Sequence, residues 1–173
     1  SLNGEETAFD LVGTWMLAPE VSSWGVGPAE FSKEWFSAGR DVLDQRSCFY
    51  DDEFIFNADG SFTVNQQGST FVEAWQGGSG CGSPVAPHDG SNPATWDHDQ
   101  STGKLTLSGQ GAYLVVPKAV NGRELVAGDQ APDSVIYNIY EQADGSLIAT
   151  IHSGVSETWW SYRLVKVSQP VTD

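Results

Sequence analysis

The feature that most limits the fold of this chain is a period of two. Apolar and polar side chains alternate in short runs, and each run is cut off by a turn signal before a helix could form. DEFIFNADGSFTVN is the clearest case: Phe54 and Phe56 alternate with Ile55, Asn57-Ala58-Asp59-Gly60 makes a turn, and Phe62 and Val64 return. That pattern predicts a β-hairpin. ATWDHDQSTGKLTLSG predicts a second, with Trp96 on one strand, Leu105 and Leu107 on the other, and Thr102-Gly103 between them. SVIYNIYEQADGSLIATIHS predicts a third, turning at Ala143-Asp144-Gly145. The motif ADGS recurs at 58–61 and 143–146 and marks two similar turns rather than a duplicated domain.

Further strands are expected in DLVGTWML, in STFVEAW and in ETWWSYRLVKV. In the last, alternation puts Trp159, Ser161, Arg163 and Val165 on one face and Trp160, Tyr162, Leu164 and Lys166 on the other. The expected class is all-β, built of antiparallel hairpins as a meander, in a two-sheet β-sandwich or a flattened barrel; both give the same alternation. At 173 residues the chain has the size of one domain. Its core is expected between about 10 and 167, with 168–173 as a linker-like tail.

Two segments break the period. Between Leu17 and Tyr50 a long excursion carries Trp24, Phe31, Trp35 and Phe36, and AEFSKEWFSAGRDVLD within it has room for one short helix. The second is the Gly-rich stretch Gly77–Pro93. Loops of this length either cover one end of the sheets or bind something, and both readings stay open. Each segment ends near a cysteine, Cys48 or Cys81, and neither cysteine has metal-ligand spacing. A disulfide is expected, which would staple the two segments into one aromatic-rich surface and place the chain in an oxidising setting, extracellular or periplasmic. The alternative is a pair of buried free thiols.

Eight Lys and Arg against 23 Asp and Glu give a formal charge of −15. Such a field repels nucleic acid and anionic membrane surfaces. No run approaches the roughly 18 apolar residues of a membrane span. The opening SLNGEETAF lacks the basic and apolar regions of a signal peptide, so any signal is expected to have been removed already.

The strings GTW, FNADGSF and WWSYRLVK together resemble bacterial lipocalin-like domains, which pair a Gly-x-Trp first strand with a basic residue late in the last. By that resemblance Arg163 would lie over Trp15 and close one end of a barrel. EAWQGG, CGSPVAPHDGSN and GAYLVVPKAVNG are similar to a more particular family, the accessory domains of surface proteins and glycoside hydrolases in marine polysaccharide-degrading bacteria. This likeness spans Leu11 to Lys166 and implies a non-catalytic, glycan-binding role without assigning a ligand site. One departure is Val115-Val116, where Gly-Leu is usual in that family.

Sugar recognition needs flat aromatic faces for the apolar side of a pyranose, with planar polar groups for its hydroxyls. Candidate stacking residues are Trp75, Trp35, Trp24 and one of the pair Trp159-Trp160, with Trp160 the first choice. Glu73, Gln76, His88 and Asp89 are the polar candidates. Core packing competes for each Trp, and the favoured reading of the stretch around His88 and Asp89 is a self-satisfied turn.

The acids Asp51-Asp52-Glu53 raise a calcium site as one possibility, though a solvated strand end is the ordinary reading. Three isolated histidines argue against a triad or a metal cluster. The expected function is therefore a monomeric, non-catalytic module binding a neutral polysaccharide of β-glucan type, within a larger enzyme or surface protein; a patch of Arg40, Arg46 and Lys118 would overturn the preference for a neutral chain. The alternatives are a lipocalin-like carrier of a small apolar ligand and a small glycoside hydrolase with a carboxylate pair.

Overall fold

The computed structural model describes residues 9–154 and 157–167; the expected linker-like tail, 168–173, lies outside them. Along the chain, β1 (Gly13–Leu17) leads into the excursion, which contains β2 (Trp24–Gly27), β3 (Phe36–Ser37) and the short helices α1 (Arg40–Gln45) and α2 (Ser47–Tyr50). The first predicted hairpin follows as β4 (Glu53–Phe56) and β5 (Phe62–Asn65). A small ribbon, β6 (Thr70–Val72) with β7 (Gly80–Gly82), precedes the second hairpin, β8 (Thr95–Asp99) and β9 (Lys104–Ser108). Another ribbon, β10 (Ala119–Val120) with β11 (Arg123–Glu124), precedes the third, β12 (Ser134–Glu141) and β13 (Leu147–His152), and β14 (Trp159–Lys166) ends the fold.

The first and third hairpins turn where the sequence places Asp-Gly-Ser. In both ADGS turns the Asp carboxylate accepts from the Ser backbone N–H and hydroxyl, at 2.9 and 2.6 Å for Asp59 and at 3.0 and 2.6 Å for Asp144. Gly60 and Gly145 take the positive φ of +92° and +89° that the turns require. Asp89 with Ser91 and Asp99 with Ser101 repeat the same pair of bonds.

The main sheet runs β5-β4-β1-β14-β13-β12-β9-β8, antiparallel throughout, with the last strand paired to the first. A bridge between Ser61 and Thr95, with Phe62 N–H donating to Ala94 and Trp96 N–H to Gly60, brings β5 to β8. The sheet is thus a nearly closed, up-and-down barrel, and the choice between barrel and sandwich falls to the barrel. Its inward positions are those of the period-two pattern. Trp15, Phe54, Phe56, Tyr137 and Tyr162 are among the largest fully buried side chains and fill the interior.

Parity also corrects one expectation. Trp15 lies opposite Lys166 across β1 and β14, so it is the Lys166 ammonium that stands 5.5 Å from the Trp15 ring. Arg163 is on the outward face, where it binds Glu20 and reaches Asp144 at 2.6 Å.

The excursion proves to be part of the barrel wall. Ala18 N–H donates to the carbonyl of Arg163, and Arg163 N–H donates to that of Ser23, so residues 18–23 loop out and β2 resumes the edge that β1 left. Gly25 is required there, because a Cβ would stand 2.2 Å from the carbonyl oxygen of Phe36 on β3. On the outer face Glu30 accepts from Thr150, Tyr140 and Asn138 at 2.7, 2.7 and 3.1 Å, which pins the tip of the excursion to β12 and β13.

Candidate functional site

At the mouth where β2 and β3 form the wall, the structure opens a groove of about 170 Å³. Trp24 and Trp160 stack within it at 6.3 Å and 12°, and Phe36 and Phe49 tilt against Trp24 at 5.2 and 5.4 Å. Both tryptophans come from paired strands, which fixes their faces, and each indole N–H is engaged: Trp24 donates to the Tyr50 hydroxyl and Trp160 to Glu124, both at 3.0 Å.

The opposite side is built by the stapled loops. Cys48 and Cys81 form the expected disulfide, joining α2 to β7. Arg46, just before α2, holds its guanidinium 3.7 Å from the centroid of Phe71, and 5.4 and 5.6 Å from Trp24 and Phe49. Phe71 lies directly across the β6–β7 ribbon from Cys81. The staple therefore sets the spacing between the Arg46 and Phe71 sides.

Charged groups complete the lining. Glu73, at the start of a single 3-10 turn over Ala74–Gln76, stands 3.7 Å from Arg46 and 3.9 Å from Lys118. Lys118 is 4.0 Å from Glu124 and 5.6 Å from the Trp160 ring. Burial lowers the pKa of Arg46, opposed by the charges of Glu73 and Tyr50. Lys118 follows Val115, which adopts a φ of +65° that a β-branched residue rarely takes. That position opens the turn that leads Val116, Pro117 and Lys118 into the groove.

Of the residues singled out from sequence, Trp24, Trp160 and Glu73 converge here. Trp24 and Trp160 do so as buried walls, 3% and 7% exposed, rather than as surface platforms. Trp75 stands behind the groove, donating its indole N–H to Glu73 at 3.0 Å, while Gln76 caps the same turn by accepting from Glu73 N–H at 3.5 Å.

His88 is buried, in edge contact with Trp75 at 5.7 Å and Tyr113 at 5.8 Å, and burial pushes its pKa down to about 4 against the pull of Asp89. Trp75, Gln76, His88, Val126 and Asp129 border a separate depression of about 200 Å³. Asp89 is engaged by its own turn with Ser91. Trp35 is 56% exposed and next in the chain to Phe36, which lines the groove while Trp35 does not.

Two of the three acids of the possible calcium site point apart. Asp52 turns inward to Thr70 at 2.6 Å and Glu53 turns outward to Asn65 at 3.0 Å; among the described residues no set of three acidic, His or Cys side chains is placed to hold a metal. No helix among the described residues is long and apolar enough to cross a membrane.

Arg46 and Lys118 of the expected cationic patch line the groove and Arg40 does not, while Phe36, Phe49 and Phe71 join it as aromatic walls that were not among the expected ligand contacts. The scarcity of cations is what marks Arg46 and Lys118 in the sequence, whereas Phe49 and Phe71 are brought in by the disulfide and the β6–β7 ribbon. No family model matches the chain, and no curated protein matches it.

Proposed function

We propose that this domain binds a polysaccharide at the barrel-mouth groove without cleaving it, as an accessory module of an extracellular or cell-surface protein. The observation that carries the reading is the composition of one wall-to-wall site: five aromatic rings with a carboxylate and two cations fixed among them. Aromatic faces suit the C–H face of a sugar ring, and rigid charged groups suit its hydroxyls. The groove is smaller than the roughly 300 Å³ at which drug-sized ligands begin, so it fits one sugar unit of a longer chain. The disulfide fits an oxidising compartment.

Two features favour binding over hydrolysis. The carboxyl with the most raised pKa, Asp52, is 2% exposed and does not line the groove. Glu73 and Glu124 each accept an indole N–H and share Lys118. A carrier role is disfavoured because aromatic side chains fill the barrel interior.

Calorimetric titration of wild type and Phe36→Ala against soluble polysaccharides tests the reading. Phe36→Ala is expected to weaken binding about 2- to 10-fold, from an aromatic contact of roughly 0.5–1.5 kcal/mol, and Trp35→Ala to leave it unchanged. Saturable heat with no shortened products supports a binding module. Shortened products, or heat with apolar ligands alone, would replace this reading.

A further inference from the structure

Glycan recognition at the groove leaves open which sugar. The overall charge of −15 argues for neutral chains, but ions screen charges beyond about 8 Å at physiological salt, so the groups within contact distance decide. Among the lining residues two cations face one carboxylate. The donor count is more unequal than the charge count. Among the described residues neither the Arg46 nor the Lys118 side chain donates a hydrogen bond, and their nearest carboxylate oxygens lie at 3.7 to 4.0 Å, beyond bonding distance.

One oxygen of each carboxylate is engaged elsewhere: Glu73 Oε1 takes the Trp75 indole N–H and Glu124 Oε2 that of Trp160, each at 3.0 Å. A guanidinium held against Phe71, with side-chain exposure of 22%, is a partly desolvated cation whose planar fork has no protein acceptor among the described residues within hydrogen-bonding distance. A ligand rich in acceptors corrects that imbalance.

We infer that the groove seats the acidic group of a charged sugar, a ring carboxylate or a sulfate ester, against Arg46 and Lys118, with the sugar face on the aromatic wall. This rests on the glycan reading above and replaces its neutral ligand with an anionic one. A carboxylate matches the guanidinium fork in two parallel bonds, and a sulfate offers three oxygens to the same donors. Glu73 repels the incoming anion, and its place between the two cations partly neutralises them, which makes the site selective for a ligand that bonds both.

The test titrates the protein with tetrasaccharides of equal length: an oligoguluronate for the carboxylate, a sulfated galactan fragment for the sulfate, and a neutral β-1,3-glucan, each at low and high NaCl. One acidic tetramer is expected to bind at least tenfold tighter than the neutral one and to weaken with salt. Arg46→Gln and Lys118→Gln should each cost it about tenfold or more, the scale of a lost charge-assisted bond, with the neutral ligand little changed. Which acidic tetramer binds names the group.

Lys118→Gln alters a partly exposed side chain and keeps the test sound should Arg46→Gln fail to fold. Neutral binding equal to or tighter than acidic, unmoved by Lys118→Gln, overturns this inference and leaves the glycan reading standing. Heat from none of the three overturns both.

Discussion

Asp52 sits at 2% exposure with Oδ2 accepting from the Thr70 hydroxyl at 2.6 Å and Oδ1 without a partner. Burial pushes its pKa up to about 8, the Thr70 bond opposes this, and Asp51 adds to it. A carboxyl whose folded pKa exceeds its unfolded value contributes stability that is complete below the unfolded pKa, about 4, and is lost as pH rises through the folded one. Asp52→Asn is therefore expected to match wild type near pH 4 and to exceed it by a few kcal/mol, on the order of 2 or more, above pH 8. Urea midpoints at the two pH values check this, and an equal gap at both would contradict it. The sequence shows Asp51-Asp52-Glu53 only as three adjacent acids; Asp52 turns inward to Thr70 and Glu53 outward to Asn65, and nothing local in the string encodes which of them is buried.

At the scale of elements, the excursion and the staple hold the groove together. Glu30 is the clasp of the excursion. Burial would raise its pKa, but bonds from Thr150, Tyr140 and Asn138, with Lys104 nearby, bring it below the ordinary value. Its contribution is thus present above about pH 4.5 and is lost as pH falls through the lowered folded pKa.

Glu30→Ala is expected to cost about 1–2 kcal/mol and to speed hydrogen exchange across Ala29–Trp35 while β12 and β13 stay protected. Unchanged exchange there would mean that the β2–β3 pairing alone holds the loop. Phe31, beside Glu30, sits at a φ of +73°, a state uncommon for a side chain of its size. Replacing Cys48 and Cys81 with Ala opens a loop with a sequence separation of 33. The expected loss is about 3–4 kcal/mol, read by denaturant melts, with groove affinity falling as the Arg46 and Phe71 sides separate. Full affinity in the folded double variant would contradict that role.

Across the whole molecule, the period of two made the hairpins legible, because Phe54/Phe56, Leu105/Leu107 and Trp160/Tyr162/Leu164 all face the core as their alternation requires. Barrel closure was not legible, since it depends on Trp15 meeting Lys166 across the whole chain and on the Ser61–Thr95 bridge. The excursion lost its period because β2 is a four-residue strand rejoining the wall after a loop-out, too short to show alternation.

The groove was half legible. Trp24, Trp160 and Glu73 stood out by residue type, whereas Phe49 and Phe71 reach it only through the disulfide and the β6–β7 ribbon. The claim that unites these observations is that the barrel mouth is the glycan site. Titration of wild type beside Phe36→Ala with charged and neutral tetrasaccharides, with product analysis, tests it most directly. Saturable binding without cleavage that weakens about 2- to 10-fold in the variant is the predicted result, and binding indifferent to Phe36, or none at all, would contradict it.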